Sequence, residues 1–263
     1  MARTAPMKSA EFNFRTRLEA RETLVGSMLK TPTSQATEIL GQVGFDFVVV
    51  DQEHSPFDRA SIDTVILAGR AAGIPVLVRV SAPEAILAAC DGGAEGIIVP
   101  HVENREYAEM VGAKCRYRNG TRGYATSTRA GGFTSIPMEQ HIRESDAGIA
   151  VIAQIEDPGA VREIDSIARV KTIDALFVGR NDIACSMGCD SVDALPVREA
   201  VQAVAKSAGS AGKAFGAAVT SMAEIEWLRG LGATMIIISS DHGFLRAGAS
   251  KALHEARNIF RKA

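Results

Sequence analysis

Residues 44–54 read Gly-Phe-Asp-Phe-Val-Val-Val-Asp-Gln-Glu-His. The run from Phe47 to Val50 is continuously apolar, as expected for a strand that is buried on both faces of a parallel sheet. Gly44 lies just before this run, where a glycine in the left-handed conformation commonly ends the preceding helix. Polar residues follow the run directly. The segment therefore predicts a helix end, a buried strand and a polar loop, in that order.

Runs of the same kind recur along the chain, and helical periodicity fills the stretches between them. The runs predict eight strands: Leu24 to Leu29, Phe47 to Val50, Pro75 to Val80, Gly96 to Val99, Ile149 to Ile155, Ala175 to Val178, Ala214 to Val219 and Met235 to Ile238. The predicted helices include Thr33 to Gln42, Arg59 to Ala72, Arg105 to Lys114, Ala160 to Ala168, Val197 to Ala211 and Met222 to Leu231.

Eight such units in 263 residues favour a single (β/α)₈ TIM barrel, an α/β fold, as one domain over residues 1–263. The competing architecture is an open doubly wound sheet. Such a sheet normally carries a phosphate or dinucleotide fingerprint, and the sequence contains neither G-x-G-x-x-G nor a Walker A motif.

Composition limits the kind of partner. Apolar residues make up 46% and charged residues 23%, which is globular, and no run approaches the ~20 apolar residues of a membrane span. The net charge is −2 without a basic block, so nucleic acid is not expected as a partner.

Residues 1–21 lack the apolar core of a secretory signal, which predicts a cytoplasmic protein. Cys90, Cys115, Cys185 and Cys189 lack zinc-ligand spacing and are predicted to be buried or half-buried thiols.

The C-terminal ends of the predicted strands carry many polar side chains. In a (β/α)₈ barrel these ends meet at one face, where barrel enzymes place their catalytic groups. Glu156 and Asp182, after neighbouring strands, offer hard oxygen ligands that suit Mg²⁺ or Mn²⁺ with water and substrate completing the shell. The polar residues of this face are Asp51, Gln52, Glu53, His54, Arg79, Gln154, Glu156, Arg180, Asn181 and Asp182.

Several segments together resemble the HpcH/HpaI aldolases, which are class II pyruvate aldolases of the phosphoenolpyruvate/pyruvate barrel superfamily. The resemblance runs from about Glu19 to the C-terminal helix. It implies divalent-metal-dependent, reversible cleavage of a 4-hydroxy-2-oxo acid to an aldehyde and pyruvate, or a pyruvate analogue such as hydroxypyruvate, with Mg²⁺, Mn²⁺ or Co²⁺ as cofactor. The segments are Gly44-Phe45-Asp46, Asp51-Gln52-Glu53-His54-Ser55-Pro56, Pro75-Val76-Leu77-Val78-Arg79, Gln154-Ile155-Glu156 and Phe177-Val178-Gly179-x-x-Asp182.

The resemblance also implies roles for the matching residues of strands 2 and 3. His54 is expected to be the general base and Arg79 the stabiliser of the oxyanion. Asp51 and Glu53 are expected to hold His54 and metal-bound water.

Other matching residues are expected to bind the metal and the oxo acid. The resemblance makes Glu156 and Asp182 the metal ligands, and it makes Gln154 and the backbone of Asn181 and Asp182 the oxo-acid contacts. Asp91 matches a family acid that raises the basicity of a histidine and serves the active site of the adjacent subunit. In this chain Asp91 precedes strand 4 and is predicted to lie away from its own barrel mouth.

Two departures from the family pattern bear on substrate choice. Arg180 replaces a proline of the loop after strand 6, and residues 116–123 keep the family's Arg-Tyr and Arg-Gly but lack its prolines. The four arginines at 116, 118, 122 and 129 are expected to form solvated or interface ion pairs, with anion binding as the alternative.

The remaining histidines are assigned by position. His101 and His242 follow strands 4 and 8 and are expected to support the site or the fold. His141 and His254 lie in polar helical segments and are expected to be solvated.

Three other functions are weighed against the aldolase. A Schiff-base aldolase needs a lysine in the barrel mouth, and strand 6 carries none, while Lys30 follows strand 1. A lyase or mutase of the same superfamily would act on a phosphorylated or CoA-linked acid. A non-catalytic protein that binds small acids would not need a base, metal ligands and an arginine together.

The C-terminal segment from about 244 to 260 predicts an amphipathic helix. The resemblance implies a homo-oligomer, usually a hexamer built from dimers, in which this helix packs on a neighbouring subunit. Packing on its own barrel would satisfy the same pattern. The apolar face comprises Leu245, Ala249, Ala252, Leu253, Ala256 and Phe260.

Overall fold

The computed structural model describes residues 13–261, which form a closed barrel of eight parallel strands in sequence order. The predicted (β/α)₈ barrel is therefore confirmed. Four strands have the predicted ends, and the others differ by one or two residues at an end. The strands are β1 (Leu24–Leu29), β2 (Phe47–Asp51), β3 (Val76–Arg79), β4 (Gly96–Val99), β5 (Ala150–Ile155), β6 (Ala175–Val178), β7 (Ala214–Val219) and β8 (Met235–Ser240).

Helices alternate with the strands and form the outer layer. The sequence did not predict α1, α4, α6 or α9, and its helix over 160–168 is divided at Glu163, which has φ −93° and ψ 7°. The helices are α1 (Phe14–Glu19), α2 (Ser34–Val43), α3 (Arg59–Ala72), α4 (Ile86–Gly92), α5 (Arg105–Lys114), α6 (Met138–Gly148), α7 (Pro158–Arg162), α8 (Ile164–Ala168), α9 (Arg180–Ser186), α10 (Leu195–Ser210), α11 (Met222–Gly230) and α12 (Asp241–Arg261).

Left-handed glycines end the helices before β2 and β3, as the sequence predicts. Gly44 has φ 99° and Gly73 has φ 73°, and their amides bond to carbonyls of the last helical turn. A Cβ added at either position would meet no atom within 4 Å. The backbone conformation rather than space therefore requires glycine there.

The barrel interior is closed at the N-terminal ends of the strands by α1. Phe14 and Leu18 are fully buried among the interior side chains of the strands, and the rings of Phe14 and Phe47 lie 5.2 Å apart. A second apolar layer fills the space between the strands and the outer helices. Since one end of the barrel is filled, the opposite end, where the strands terminate, is the open one.

Two expectations about burial are wrong. His141 is 1% exposed, because its ring packs between Tyr117 and Tyr124 at 5.4 Å from each. Cys185 is exposed on α9, whereas Cys90 and Cys115 are buried and Cys189 is half-buried. None of the four forms a disulfide.

The arginines at 116, 118, 122 and 129 form ion pairs, as expected, with Asp174, Glu139, Asp91 and Asp63 respectively. Arg116 and Arg122 are buried rather than solvated. Among residues 13–261, no helix combines the length and the apolarity that crossing a membrane requires.

Substitution of Gly216 tests the tight packing between β7 and β8. A Cβ there would lie 2.2 Å from the backbone oxygen of Met235, the residue paired with it across the sheet. We expect Gly216→Ala to lower the free energy of unfolding by about 1–3 kcal/mol, since the two strands must separate. Gly209→Ala is the control, because its Cβ meets no atom within 4 Å in α10, and it should raise stability by up to about 1 kcal/mol. Urea unfolding measures both, and equal effects would contradict this account.

Candidate active site

Asp51 lies at the end of β2 with its side chain fully buried. Its Oδ1 accepts hydrogen bonds from Nη2 and Nε of Arg79 at 2.7 and 3.0 Å, and its Oδ2 accepts one from Nζ of Lys30 at 2.5 Å. Asp51 and Arg79 are directly opposite each other in the register of β2 and β3. Burial raises the pKa of Asp51, but the charges of Arg79 and Lys30 outweigh burial and hold this pKa below its ordinary value. The carboxylate is therefore ionised and fixes the orientation of Arg79.

Glu53 and His54 follow in the loop after β2. The backbone N–H of His54 donates to Oδ1 of Asp51 at 3.2 Å. Nε2 of the His54 ring lies 3.7 Å from Oε2 of Glu53, and Nε of Arg79 lies 3.4 Å from the same oxygen. The His54 ring is 57% exposed, whereas Glu53 is 12% exposed. Asp51 thus holds the backbone of His54, and the ring remains open to a ligand.

Glu156 lies just after β5 and is 2% exposed. Its Oε1 accepts the backbone N–H of His101 at 2.8 Å, and its Oε2 accepts Nε2 of Gln154. Burial raises the pKa of Glu156, and the nearby charge of Asp182 adds to that rise despite these hydrogen bonds. A nearby cation would compensate this unfavourable burial of negative charge.

His101 follows β4 and brings an imidazole into the same group of carboxylates. Its Nδ1 lies 3.1 Å from Oδ2 of Asp157 and 3.4 Å from Oε1 of Glu156, and its Nε2 lies 3.6 Å from Oε1 of Glu53. Burial lowers the pKa of His101, but the three carboxylates outweigh it, so this pKa is raised.

A candidate metal centre emerges from these contacts. Within the described chain, one ligand atom from each of Glu53, His101 and Glu156 lies within 4.8 Å of the other two, as a shared ion requires. Asp182, half-buried in the first turn of α9, is not a member of this group. The sequence instead pairs Glu156 with Asp182 as metal ligands and gives His101 a supporting role.

The remaining predicted contacts lie at the β6 end and on α4. Asn181 is exposed in the first turn of α9, and Gln154 is buried against Glu156. Asp91 accepts a hydrogen bond from Nη2 of Arg122 at 2.9 Å. Asp91 also lines a cavity of about 590 Å³ between α3 and α4, together with Gln52 of the β2 loop. This cavity connects the surroundings of Asp91 with the loop that carries His54.

Sequence reasoning assigned no role to Lys30 or Asp157. Lys30 is the first residue after β1 and Asp157 the second after β5, so the rule that selects Asp51 and Glu156 applies to them as well. Their significance depends on a partner across the barrel mouth, Asp51 for Lys30 and His101 for Asp157. The position of a residue at the end of a strand can be predicted from the sequence, whereas its partner across the barrel mouth cannot.

Arg180, the first residue of α9, is buried and spans two neighbouring loops. Its Nη2 donates to the backbone oxygen of Ala218 at 2.8 Å and to Oε2 of Glu224. Glu224 also accepts hydrogen bonds from the hydroxyls of Thr220 and Ser221. Burial raises the pKa of Glu224, but these hydrogen bonds and the Arg180 charge hold the pKa at about 2. The positive charge that Arg180 adds is therefore neutralised by Glu224 within the protein.

Comparison with known proteins gives a consistent result. The model of the HpcH/HpaI aldolase/citrate lyase family matches residues 27–247. The 5-keto-4-deoxy-D-glucarate aldolase of Salmonella arizonae is 32% identical over 246 residues, which cover 90% of this chain and 94% of that protein.

Solved structures agree in fold. An HpcH/HpaI aldolase/citrate lyase family protein from Burkholderia cenocepacia has a TM-score of 0.87 and 30% identity, covering 92% of this chain and 98% of the other. The citrate synthase SbnG has a TM-score of 0.86 and 29% identity, covering 95% and 99%.

The Arg180–Glu224 ion pair predicts that the free energy of unfolding depends on pH in the acid range. Because the pKa of Glu224 is depressed to about 2, its contribution is fully present above its ordinary value near 4.5 and is lost as the pH falls toward 2. We expect Glu224→Gln to lower the free energy of unfolding by about 3 kcal/mol at pH 7, since Arg180 is left buried without a counter-charge.

Urea unfolding of both proteins from pH 7 to pH 2 measures this effect. The difference between them should shrink below pH 4.5. Asp193→Asn is the control, because its partner Arg198 is 44% exposed, and its cost should stay below about 1 kcal/mol. A Glu224→Gln difference that is independent of pH would contradict the assignment.

Proposed function

The chain belongs to the HpcH/HpaI aldolase/citrate lyase family, and we propose that it is a divalent-metal-dependent aldolase acting on 4-hydroxy-2-oxo acids. It is a carbon–carbon lyase, as its family and its aldolase relatives show. The proposed products are an aldehyde and pyruvate, or an analogue such as hydroxypyruvate. The observation that carries the proposal is the position of Arg79, fixed by Asp51, at 3.4 Å from Glu53, a member of the candidate metal centre.

The residues around Glu156 fit a divalent cation. Oε2 of Glu53 and Oε1 of Gln154 are buried and have no hydrogen-bond partner among the described residues. Carboxylate oxygens and an imidazole nitrogen are the ligands that Mn²⁺, Co²⁺ and Zn²⁺ accept, and carboxylates suit Mg²⁺. Glu156 would hold the ion, with Asp182 able to join it on the side of α9. When bound, a divalent ion supplies Lewis acidity that stabilises an enolate by several kcal/mol.

Arg79 provides the second positive charge of the site. Retro-aldol cleavage moves the electrons of the C3–C4 bond to the oxygen at C2, where negative charge develops. Asp51 binds two nitrogens of the Arg79 guanidinium, so the charge is already oriented before the substrate arrives. Preorganised charge of this kind needs no rearrangement during the reaction.

His54 would accept the proton of the C4 hydroxyl. Its backbone is held by Asp51 and its ring is 57% exposed next to Glu53. Loss of the hydroxyl proton converts C4 to the aldehyde carbonyl as the C3–C4 bond breaks, and C3 of the enolate takes up a proton to give pyruvate. General base catalysis by a positioned histidine contributes roughly 10²–10⁴ in rate.

A Schiff-base mechanism is disfavoured by the position of Lys30. Its Nζ lies 2.5 Å from Oδ2 of the buried Asp51 carboxylate and is engaged in this ion pair. An imine-forming lysine must be neutral to attack a carbonyl. Lys30 therefore acts as a counter-charge of Asp51.

The proposed function is tested by pyruvate release from a panel of 4-hydroxy-2-oxo acids. Exhaustive chelation should abolish activity, and Mn²⁺, Co²⁺ or Mg²⁺ should restore it. We expect His54→Ala to lower kcat about 10²–10⁴-fold and to leave pyruvate binding within about threefold, because the base acts on C4 rather than on the oxo acid.

Gln52→Ala, a change in the same loop, serves as the control for loop disruption and should retain most activity. Full activity after chelation would exclude the metal-dependent reaction. An unchanged kcat in His54→Ala would remove His54 from the mechanism.

We also propose that α12 packs on a second copy of this chain. The helix has 21 residues and none is buried. Leu245, Leu253 and Phe260 on its apolar face are 74%, 52% and 83% exposed, so the helix is not covered by its own barrel. An exposed apolar face of this length, about 31 Å, is typical of an interface.

Assembly is predicted to fail when this face is charged. Leu245→Asp combined with Leu253→Asp should yield monomers in size-exclusion chromatography with light scattering, whereas the wild type should elute as an oligomer. Lys251→Asp, on the opposite side of α12, is the control and should leave the oligomer intact. A monomeric wild type would overturn the proposal.

A further inference from the structure

We propose that the buried guanidinium of Arg122, together with the hydroxyls of Tyr117 and Tyr124, binds a small monovalent anion of the size of chloride. These residues belong to the segment between α5 and α6. They include none of the residues proposed above to bind the metal or the oxo acid. The inference therefore goes beyond the proposed function and does not depend on it.

The guanidinium of Arg122 is only partly satisfied by the protein. Its side chain is 0% exposed, and its Nη2 donates to Oδ1 of Asp91 at 2.9 Å. Its Cζ lies 4.3 Å from the centre of the Tyr117 ring, so this ring covers one face of the guanidinium. Nε and Nη1 are buried and have no hydrogen-bond partner among the described residues. Stacking satisfies the face of a guanidinium, whereas its N–H groups lie in the plane and still need acceptors.

Three rings form a closed group beside this guanidinium. The ring centroids of Tyr117, Tyr124 and His141 lie 5.4 or 5.5 Å apart in every pair. Both tyrosine hydroxyls and both ring nitrogens of His141 are buried without a partner among the described residues. Buried polar atoms without partners are rare in folded proteins, because each loses its hydration without replacement. So many of them in one group indicate a bound species that is not part of the chain.

Donors predominate among these atoms, which favours an anion over water. Guanidinium nitrogens can only donate, and Nη1 of the neighbouring Arg116 is also buried without a partner. The hydroxyls of Tyr117 and Tyr124 can donate as well. A water molecule would bring further donors into the group, whereas an anion only accepts.

The buried charges around the site are not balanced. Arg116 and Arg15 share one carboxylate, that of Asp174, with N–O distances of 3.4 and 2.9 Å. Arg122 pairs with Asp91. Three guanidinium groups therefore share two carboxylates, and the other acidic partner of Arg15 is a glutamate that is 53% exposed. The excess of one positive charge matches a monovalent anion.

Two titratable neighbours respond to this positive charge. A hydrogen bond from Cys115 lowers the pKa of the Cys90 thiol, and the charges of Arg122 and Arg116 lower this pKa further against the effect of burial. Burial lowers the pKa of His141, and the charge of Arg122 adds to that decrease. The potential is therefore positive at both side chains, as a site for an anion requires.

The packing limits the size of the anion. Aromatic rings with centroids 5.4 or 5.5 Å apart are in direct contact, so the group has room for a species the size of chloride and not for phosphate. Tyr117 and Tyr124 are half-buried, and the residues at 118 and 119 are exposed. The site therefore lies close to solvent, from which a small ion can enter.

Anomalous diffraction from crystals soaked in bromide, a heavier halide, tests the site directly. The wild type should show a bromide peak in contact with Nε or Nη1 of Arg122. Tyr124→Phe removes one donor and should weaken the peak. Tyr107→Phe, a change of a half-buried tyrosine on α5, is the control and should keep the peak. A wild-type site that holds only water would overturn the proposal.

Melting temperatures test the same binding in solution. Potassium chloride replaces potassium gluconate at constant ionic strength, because gluconate is too large for the site. A tenfold excess of chloride over its dissociation constant should raise the melting temperature of the wild type by about 3–6 °C. We expect Tyr124→Phe to weaken chloride binding about tenfold or more and Tyr107→Phe to weaken it less than about twofold.

Tyr124→Phe also separates an ion ligand from a hydroxyl that is merely buried. Removal of a buried hydroxyl without a partner would leave stability unchanged or raised in either salt. If the hydroxyl binds chloride, Tyr124→Phe should melt below the wild type in chloride and not in gluconate. Equal effects of Tyr124→Phe in the two salts, or a wild type whose melting temperature is the same in both, would contradict the anion site.

Arg122→Lys tests the guanidinium itself. Lysine keeps a positive charge beside Asp91 and lacks the N–H groups of the guanidinium edge, so the chloride dependence of the melting temperature should be lost. A chloride dependence that survives Arg122→Lys would remove Arg122 from the site. If this variant does not fold, the comparison of Tyr124→Phe with Tyr107→Phe still decides the question. Neither measurement uses aldol cleavage, so failure of the anion site would leave the proposed function intact.

Discussion

The buried carboxylate of Asp51 is the constraint on which the mouth of the barrel depends. An ionised carboxylate removed from water costs several kcal/mol unless it is paired and hydrogen-bonded. Arg79, Lys30 and the backbone N–H of His54 satisfy it from three directions. Since these groups come from the ends of β1, β2 and β3, a single side chain determines the relative position of three loops. The base and the fixed cation of the proposed reaction are arranged around one anion.

Charge is distributed unevenly across this mouth. Among the described residues, Asp51 has two cationic partners and Glu53 lies 3.4 Å from Arg79, whereas Glu156 and Asp157 pair only with the imidazole of His101. An anionic oxo acid would be repelled by the second group at separations of a few ångströms, where unit charges interact by several kcal/mol at an effective dielectric constant of about 20. Binding of such a substrate therefore requires positive charge on that side. The location of the deficit, rather than the number of acids, indicates where a cation belongs.

The barrel could be predicted from sequence because its determinants are local. Strands buried on both faces appear as continuous apolar runs, and Gly44 and Gly73 mark helix ends through their own backbone conformation. The ends of these apolar runs also predict which residues lie at the C-terminal ends of the strands. Asp51, Arg79 and Glu156 are predicted site residues for this reason. The site could not be completed in this way. Whether His101 faces carboxylates depends on a left-handed turn and on Glu156, 55 residues away.

Long-range partners explain the other differences as well. Nothing near His141 in the polar sequence of α6 indicates burial, because the rings that cover it belong to Tyr117 and Tyr124 in a preceding loop. The partner of Arg180 lies 44 residues further along the chain. Local patterns therefore determine which end of a strand a residue occupies, and the pairing of charges at that end is settled only when the barrel closes.

The base of α12 links the exterior of the protein to this arrangement of charges. Asp241, its first residue, accepts the backbone N–H of Lys30 and of Thr31, each at 2.9 Å. Asp241 thus fixes the loop that delivers the Lys30 ammonium to Asp51. The rest of α12 extends away from the barrel with its apolar face uncovered, beyond the contact of Phe244 with Phe45 at a ring separation of 6.0 Å. A second copy that covered this helix would therefore act on an element whose first residue positions a counter-charge of the site. Lys30 stabilises the ionised form of Asp51, and Asp51 orients Arg79. A displacement at the start of α12 would therefore change the electrostatics of the proposed oxyanion site, although the covering surface would not contact the substrate.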